Sequence, residues 1–551
     1  MKPVICFTLF VFMAAATALA QPSVAKNGIL NAASDAYVGL PNSSIAQGSI
    51  FTIYGTNLGP SSSPGLSFPL QTTLGGVAIK VTSGGTTVNA IPMSVGANQV
   101  SAVLPGNTPP GNATLTVTYN NQTSAAASFQ VIASSFGIFA SNQAGYGPGI
   151  ITNSNFQVLG LTSAAHPNDA AIIWGTGLGA SPGDDGSKPP QQIDLTSLSV
   201  SVYVGSQQAN VLYRGRSFFT GEDQINFTVP PGILGCHVPV AVQIGNVVSN
   251  WVTMPIAPAG TNTCSDPGGP STSQLQQGSL SFGNISFIRS TSTSSFLGTT
   301  TTTSSDTGSA SFIKYSAQQL NVANNPYQVY TIGSCTVISF RGSSGTTTDV
   351  IQPTVLDAGS ALTVTGPNGQ KQLPKSTGGY YFATLAGQTG TTTLPPYLNA
   401  GFYTVSGPGG ADVGAFTQNF TISTPLTWTN QDSVNTITRS AGQLVTWSGG
   451  DPNSTVEIIG SSFVIGTAAD GSDTVGSTFI CTAPDSAGQF TIPAVVLLAL
   501  PAGSSQSVGG FTIPSGNLSI ETVSTTQLTI PKIDLATIDS IVSIGKGVTY
   551  Q

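Results

Sequence analysis

Gly48-Ser49-Ile50-Phe51-Thr52-Ile53-Tyr54-Gly55-Thr56-Asn57-Leu58-Gly59 is a short apolar strand running into a glycine-rich turn. Ala170-Ala171-Ile172-Ile173-Trp174-Gly175-Thr176-Gly177-Leu178-Gly179 repeats it 120 residues later. Self-similarity at a fixed offset marks a repeated architecture. Working outward, Val77–Val81, Asn98–Pro105 and Ala113–Tyr119 alternate apolar and polar residues and stop at Gly, Pro or Asn. That period is the strand period, and such punctuation indicates a β-sandwich. Leu198–Val204, Asp223–Pro230 and Val238–Gly245 follow in the same order, with Asp223-Gln224-Ile225-Asn226 standing 125 residues after Asn98-Gln99-Val100-Ser101. Two copies in one order predict two domains of one fold.

The N-terminus reads as an export signal. Lys2 supplies the charge, Val4–Ala16 the apolar run, and Ala18-Leu19-Ala20 a small-x-small cleavage site before Gln21. The run is shorter than the ~20 residues that a membrane span needs. No later stretch is longer than Ala494–Leu500, which suits a buried strand. The mature chain is therefore expected outside the cytosol, without a transmembrane segment.

Composition narrows the function. Charged residues are 6% of the chain, against about 25% in ordinary soluble proteins. The surface must then be covered by Ser, Thr, Asn, Gln and Gly. With 14 Lys and Arg and a net charge of −7, the chain lacks the basic patches that nucleic-acid binding needs. Cys6 falls in the signal, leaving Cys236, Cys264, Cys335 and Cys481. Three pairings are possible. Proximity favours Cys236–Cys264, and Cys335–Cys481 follows by elimination; buried free thiols are the alternative.

At these residues the chain resembles a family. The apolar-x-apolar-x-Gly-Thr-Asn-Leu-Gly pattern resembles the IPT/TIG immunoglobulin-like domain. The wider run is similar to the uncharacterised Solibacter-type C-terminal domain of acidobacterial secreted proteins. It comprises Gly28-Ile29-Leu30-Asn31-Ala32-Ala33, Gly137-Ile138-Phe139, Gly145-Tyr146-Gly147, Asp223-Gln224-Ile225-Asn226 and Val248-Ser249-Asn250. Phe136 departs from it, standing where similar proteins tend to have proline. The resemblance covers residues 27–257 and implies a sandwich and export but no activity. IPT/TIG domains elsewhere act as spacers, ligand-binding modules or appendages of glycan-active enzymes. Leu426–Asn430 and Val495–Pro501 resemble the C-terminal extensions of the same proteins.

The expected organisation is all-β, as tandem immunoglobulin-like sandwiches: a signal at 1–20, units at 27–132 and 133–258, a linker at 259–278, a β-rich unit at 279–424 and a last sandwich at 425–551. Ser290–Ser309 reads as either a flexible polar tract or a long exposed hairpin.

Candidate chemistry is sparse. His166 and His237 are the mature chain's only histidines and read as surface or edge residues. Asp184, Asp185, Asp357, Asp412, Asp451, Asp470 and Asp473 are available to a two-carboxylate hydrolase but mostly sit beside glycine, as turn residues do. Asp184-Asp185-Gly186-Ser187 and Asp470-Gly471-Ser472-Asp473 offer oxygens to calcium without EF-hand spacing. No zinc spacing or phosphate loop is present, so no catalytic, metal or cofactor residue is assigned. Trp428 and Trp447 would stack on a sugar ring if exposed and are core if buried. The leading expectation is a secreted, non-enzymatic structural or adhesive protein whose partners are extracellular polysaccharides or surface proteins. A carbohydrate-binding protein using Trp447 or Trp428 comes second, and a secreted glycan-active hydrolase third.

Overall fold

The computed structural model describes residues 20–296, 299–342, 351–389, 392–466, 473–503, 506–508, 511–513 and 515–551. The expected signal falls almost wholly outside them, as do Asp470–Ser472.

The first unit is built from β1 (Ser23–Asn31), β2 (Ile50–Thr56), β3 (Val77–Ser83), β4 (Thr86–Val95), β5 (Gln99–Val103), β6 (Gly111–Tyr119) and β7 (Ala127–Ile132). The second uses β8 (Ala170–Thr176), β9 (Ser201–Val204), β10 (Gln207–Arg216), β11 (Asp223–Thr228), β12 (Gly235–Ile244) and β13 (Val252–Ile256). Spatial order is β2-β5-β4-β3-β6-β7 in one and β8-β11-β10-β9-β12-β13 in the other. Tyr54 stands opposite Gln99 and Trp174 opposite Gln224, which reproduces both sequence offsets. In each copy one strand serves both layers. β4 pairs β3 up to Ala90 and β5 from Ile91, with a bulge between Pro92 and Ser94. β10 pairs β9 up to Ala209 and β11 from Asn210, with a bulge between Val211 and Tyr213. A bulge bends its strand and raises local twist, which lets the strand pass from one sheet to the other. Alternate residues then fill the cores: Phe51, Ile53, Ile79, Val81 and Val100 in the first unit, Ile173, Val202, Ile225 and Phe227 in the second.

The remainder departs from a simple tandem. Its strands are β14 (Ser279–Phe296), β15 (Thr299–Ser316), β16 (Cys335–Arg341), β17 (Ala361–Gly366), β18 (Gly369–Pro374), β19 (Tyr381–Thr389), β20 (Gly401–Gly407), β21 (Phe416–Ile422), β22 (Leu426–Trp428), β23 (Gln443–Gly449), β24 (Thr455–Val464), β25 (Val475–Pro484), β26 (Gln489–Ile492), β27 (Gly516–Leu528) and β28 (Leu535–Tyr550). One sheet runs β16-β25-β24-β27-β28-β14-β15-β19. It crosses the boundary expected at residue 425, because β14 lies parallel to β28, with Phe282 opposite Leu535 and Thr293 opposite Lys546. Two smaller sheets cover it: β18-β17-β20-β21 and β22-β23-β26. The long β28 feeds both cores, Ala536, Ile538 and Val542 into one, Val548 and Tyr550 into the other. The Ser/Thr tract forms two antiparallel strands, β14 against β15, with residues 297–298 outside the described residues. Ala494–Leu498, expected as strand, is a short helix following Pro493; its buried Val495, Val496 and Leu497 satisfy the same core. The expected linker is partly built in, with Thr263 and Cys264 buried.

Candidate functional site

The two Gly-Thr turns are held differently. In the first unit, Gly55 N donates to Asn98 O at 3.0 Å and Leu58 N to Ala97 O at 2.9 Å. In the second, the Asp223 carboxylate accepts from Gly177 N and Leu178 N, both at 2.8 Å. Its other oxygen lies 2.8 Å from Arg216 Nη1, and both side chains are buried. Burial pushes the Asp223 carboxyl up to about 6 against the opposing pull of Arg216. Asp223 is thus a clamp for the turn. Gly175 is required there because a Cβ would run into the carbonyl of Gly137.

The runs quoted for the family resemblance meet at the joint between the two units. Asn31 Oδ1 accepts from Ala33 N at 2.9 Å and Ser34 N at 3.2 Å. Its Nδ2 donates to Ser135 O at 3.2 Å and Thr176 O at 3.3 Å. Thr176 Oγ1 accepts from Ile50 N at 2.8 Å. Asn250 Oδ1 accepts from Ile138 N at 2.8 Å, and its Nδ2 donates to Ile138 O at 2.9 Å and Gly145 O at 2.8 Å. Gly145, at φ +73°, sits where any Cβ would meet the Ser34 carbonyl.

A narrow cleft with a volume of about 30 Å³ opens beside this joint, lined by Asp35, Tyr37, Tyr146, Asn250 and Trp251, with Val337 and Ser339 closing it from the C-terminal part. Burial pushes the Asp35 carboxyl up to about 6, opposed by the Tyr54 hydroxyl that donates to it at 3.3 Å. Burial also pushes Tyr54 up to about 12. The lining carries a carboxyl, phenols, amides and the hydroxyls of Ser34, Ser249 and Ser339.

Sequence-selected residues are placed as follows. Trp428 and Trp447 face each other across β22 and β23 and are 5% and 4% exposed. Their indoles donate to Asn430 Oδ1 at 2.8 Å and Asp485 O at 2.9 Å. They are core, so the sugar-stacking role suggested for them is withdrawn. His237 is buried rather than at the surface, because the Cys236–Cys264 crossing and Tyr327 close over it. Burial pushes it down to about 4. His166 bonds Asp169 and the Thr261 carbonyl. Asp184 accepts from Gly186 N and Ser187 Oγ in its own loop, and Asp185 accepts from Gly106 N across the joint. Asp357 pairs with Lys375 at 2.7 Å, and its N–H donates to Asp412. Asp451 accepts from Asn453 N at 3.0 Å, and Asp473 pairs with Lys26 at 3.1 Å. Cys236 is joined to Cys264 and Cys335 to Cys481, the latter pair directly opposed on β16 and β25. One carboxylate pair escaped sequence reading: Glu457 on β24 stands opposite Glu521 on β27. Burial first, then the charges of Glu521 and Asp539, push Glu457 up to about 7. Strand alternation alone would have placed both on one face, but not opposite each other.

The geometry defines an all-β protein of immunoglobulin-like sandwiches. Residues 39–131 match the IPT/TIG domain. No curated protein matches the chain in sequence. Similar solved structures include the plexin A4 extracellular region (10% identity, 87% of this chain and 30% of that one, TM-score 0.16). Domains 5–6 of the S-layer protein SbsC are another (13% identity, 43% and 99%, TM-score 0.17). A third is the Bacteroides ovatus mixed-linkage glucan utilization protein SGBP-B, in complex with a heptasaccharide (9% identity, 82% and 93%, TM-score 0.12). The chain thus spans under a third of plexin's length. Among the described residues, no helix is long and apolar enough to cross a membrane.

Proposed function

We propose that this chain is an exported, non-enzymatic structural or adhesive protein of the cell exterior, akin to the acidobacterial secreted proteins that its motifs resemble. The observation that carries the reading is the build of its joints. Asn31 and Thr176 lock the first two units, Asn250 ties the start of the second unit to its own end, and Trp251 of the second enters the core of the C-terminal part. Joints closed by buried hydrogen bonds and shared apolar cores hold units at fixed angles, which suits a spacer or scaffold. Two disulfides fit an oxidising compartment.

Fractionation of the producing cell, with N-terminal sequencing of the mature form, tests export: a new terminus at Gln21 is expected. Assay against glycan and peptide panels tests catalysis: no turnover is expected. Turnover abolished by Glu457→Gln or Glu521→Gln would establish the hydrolase reading instead. Binding of an extracellular polysaccharide or surface protein is the second reading, supported by the exposed Phe156 ring beside Trp174 on the second unit.

A further inference from the structure

We infer that the outer face of the second unit is a platform for a neutral polysaccharide, centred on Phe156 and Trp174. The inference deepens the reading of an extracellular binding protein and rests on it.

The register assembles the platform. Trp174 stands opposite Gln224, and Asn226 opposite both Ile172 and Tyr213. Directly opposed residues share a face, and alternate residues along a strand do too. Trp174, Gln224, Asn226 and Tyr213 therefore lie on one face, Gln224 itself only 1% exposed, while Ile173, Ile225 and Phe227 fill the core behind it. The bulge at Val211/Tyr213 leaves Leu212 50% exposed beside them.

Phe156 completes the surface in a way that folding alone does not require. It is 59% exposed and sits at φ +61°, a strained conformation for a bulky side chain. The turn is enforced by Asn153 Oδ1, which accepts from Asn155 N at 2.9 Å and Gln157 N at 3.1 Å. The Phe156 ring is thereby held 6.1 Å from the Trp174 ring, and the Trp174 indole is fixed by donating to Thr152 Oγ1 at 3.0 Å. A rigid aromatic pair offers contact area at low entropic cost.

Beside the rings runs a relay of carboxamides. Gln192 Nε2 donates to Gln224 Oε1 at 2.8 Å, and Gln224 Nε2 donates to Asn226 Oδ1 at 2.9 Å. The relay ends in an acceptor, Gln192 Oε1, and a donor, Asn226 Nδ2, the two functions that sugar hydroxyls answer. Charge chooses between polymers. Arg214 is committed to the carbonyls of Leu198 and Thr196, and Arg216 to Asp223. Burial first, then the charge of Asp194, pushes Tyr213 upward, and Arg214 stands on the same rim, so acid and base roughly balance there. An anionic polymer finds Arg214 and Arg216 already committed; a neutral one with C–H faces for the rings and hydroxyls for the amides fits. The first unit lacks the platform: Tyr54 replaces Trp174, its hydroxyl is bonded to Asp35, and Ser101 replaces Asn226.

Affinity electrophoresis of the mature chain through soluble β-glucan, xylan or galactomannan is the test, with alginate as the anionic arm. Retardation by at least one neutral polymer, insensitive to salt, is expected. Phe156→Ala and Asn226→Ala should each weaken it by about ten-fold or more, whereas Phe402→Ala, exposed in the C-terminal part, should not. Phe156 is exposed, so Phe156→Ala should melt with the parent; Asn226→Ala leaves the buried Gln224 Nε2 without its acceptor, so its binding is compared at a temperature where its melt shows it folded. Absence of retardation by every neutral polymer, unchanged binding in both platform variants, or salt-sensitive retardation by alginate alone would overturn the inference. Failure of export would show only in fractionation and leave this binding result standing.

Discussion

Replacing Glu457 by Gln should stabilise the C-terminal part at alkaline pH and leave it unchanged at acid pH. Glu457 faces Glu521 across β24 and β27, and like charges directly opposed on neighbouring strands repel. Its carboxyl is pushed from 4.5 to about 7 by burial and by Glu521 and Asp539. Because the folded value lies above the unfolded one, the proton binds the folded state more tightly. Stability linked to this group is fully present below about pH 4.5 and is lost as pH rises through 7. At 1.36 kcal/mol per unit, the ionised form costs about 3 kcal/mol above pH 7. Glu457→Gln keeps the shape and removes the charge. Scanning calorimetry at pH 8 should show the C-terminal transition raised by ~5–10 °C, and at pH 4 by less than ~1 °C. Glu521→Gln should act in the same direction, and the double variant should fall short of the sum, because both relieve one repulsion. A gain of equal size at both pH values, or a loss at pH 8, would refute the reasoning.

Other outcomes follow from the same contacts. Cys335→Ser with Cys481→Ser opens a loop of 146 residues and should cost about 5 kcal/mol, against about 4 kcal/mol for opening the 28-residue loop at Cys236–Cys264; denaturant titration of each variant measures the difference. Arg216→Met strands the buried Asp223 carboxylate and should cost about 3–5 kcal/mol at pH 8. The loss should shrink at pH 5, where Asp223 takes up a proton, and chemical unfolding at both pH values checks this. Trp447→Ala should cost about 3–5 kcal/mol in a thermal melt and leave polysaccharide retardation where it was.

The paired units were legible because glycine and proline punctuate every strand, so offsets in sequence became registers in space. Tyr54 over Gln99 and Trp174 over Gln224 are the proof. Three features were not legible. An apolar run as short as Ala494–Leu500 has no period that separates strand from helix. The parallel pairing of β14 with β28 joins residues about 250 apart, and no local pattern announces it. The face of a tryptophan is likewise invisible: Trp428 and Trp447 turned inward, while Trp174, on an equally ordinary strand, stands beside an exposed Phe156. Of the joint, the residues were legible as motifs; their convergence depends on two side-chain amides, Asn31 and Asn250, bridging loops more than 100 residues apart.

Scarcity of charge gives the few acids a common task. Asp306 accepts from Tyr397 N at 2.7 Å and Leu398 N at 2.8 Å. Asp534 accepts from Ser281 N at 2.8 Å, and Asp266 from Cys236 N at 2.9 Å. Asp223 and Asp185 do the same at Gly177, Leu178 and Gly106. Each is a charge-assisted bond to a backbone donor where two distant segments cross, stronger than a neutral bond and able to satisfy an N–H that no ladder reaches. At Asp223, Asp185 and Asp266 burial outweighs the pull of these donors and pushes the carboxyls upward. Acids spent as clamps leave an exterior of hydroxyls, amides and aromatic rings, and a surface of that kind recognises partners by shape and neutral hydrogen bonding. The same economy of charge therefore supports the choice of an uncharged polymer for the Phe156 face.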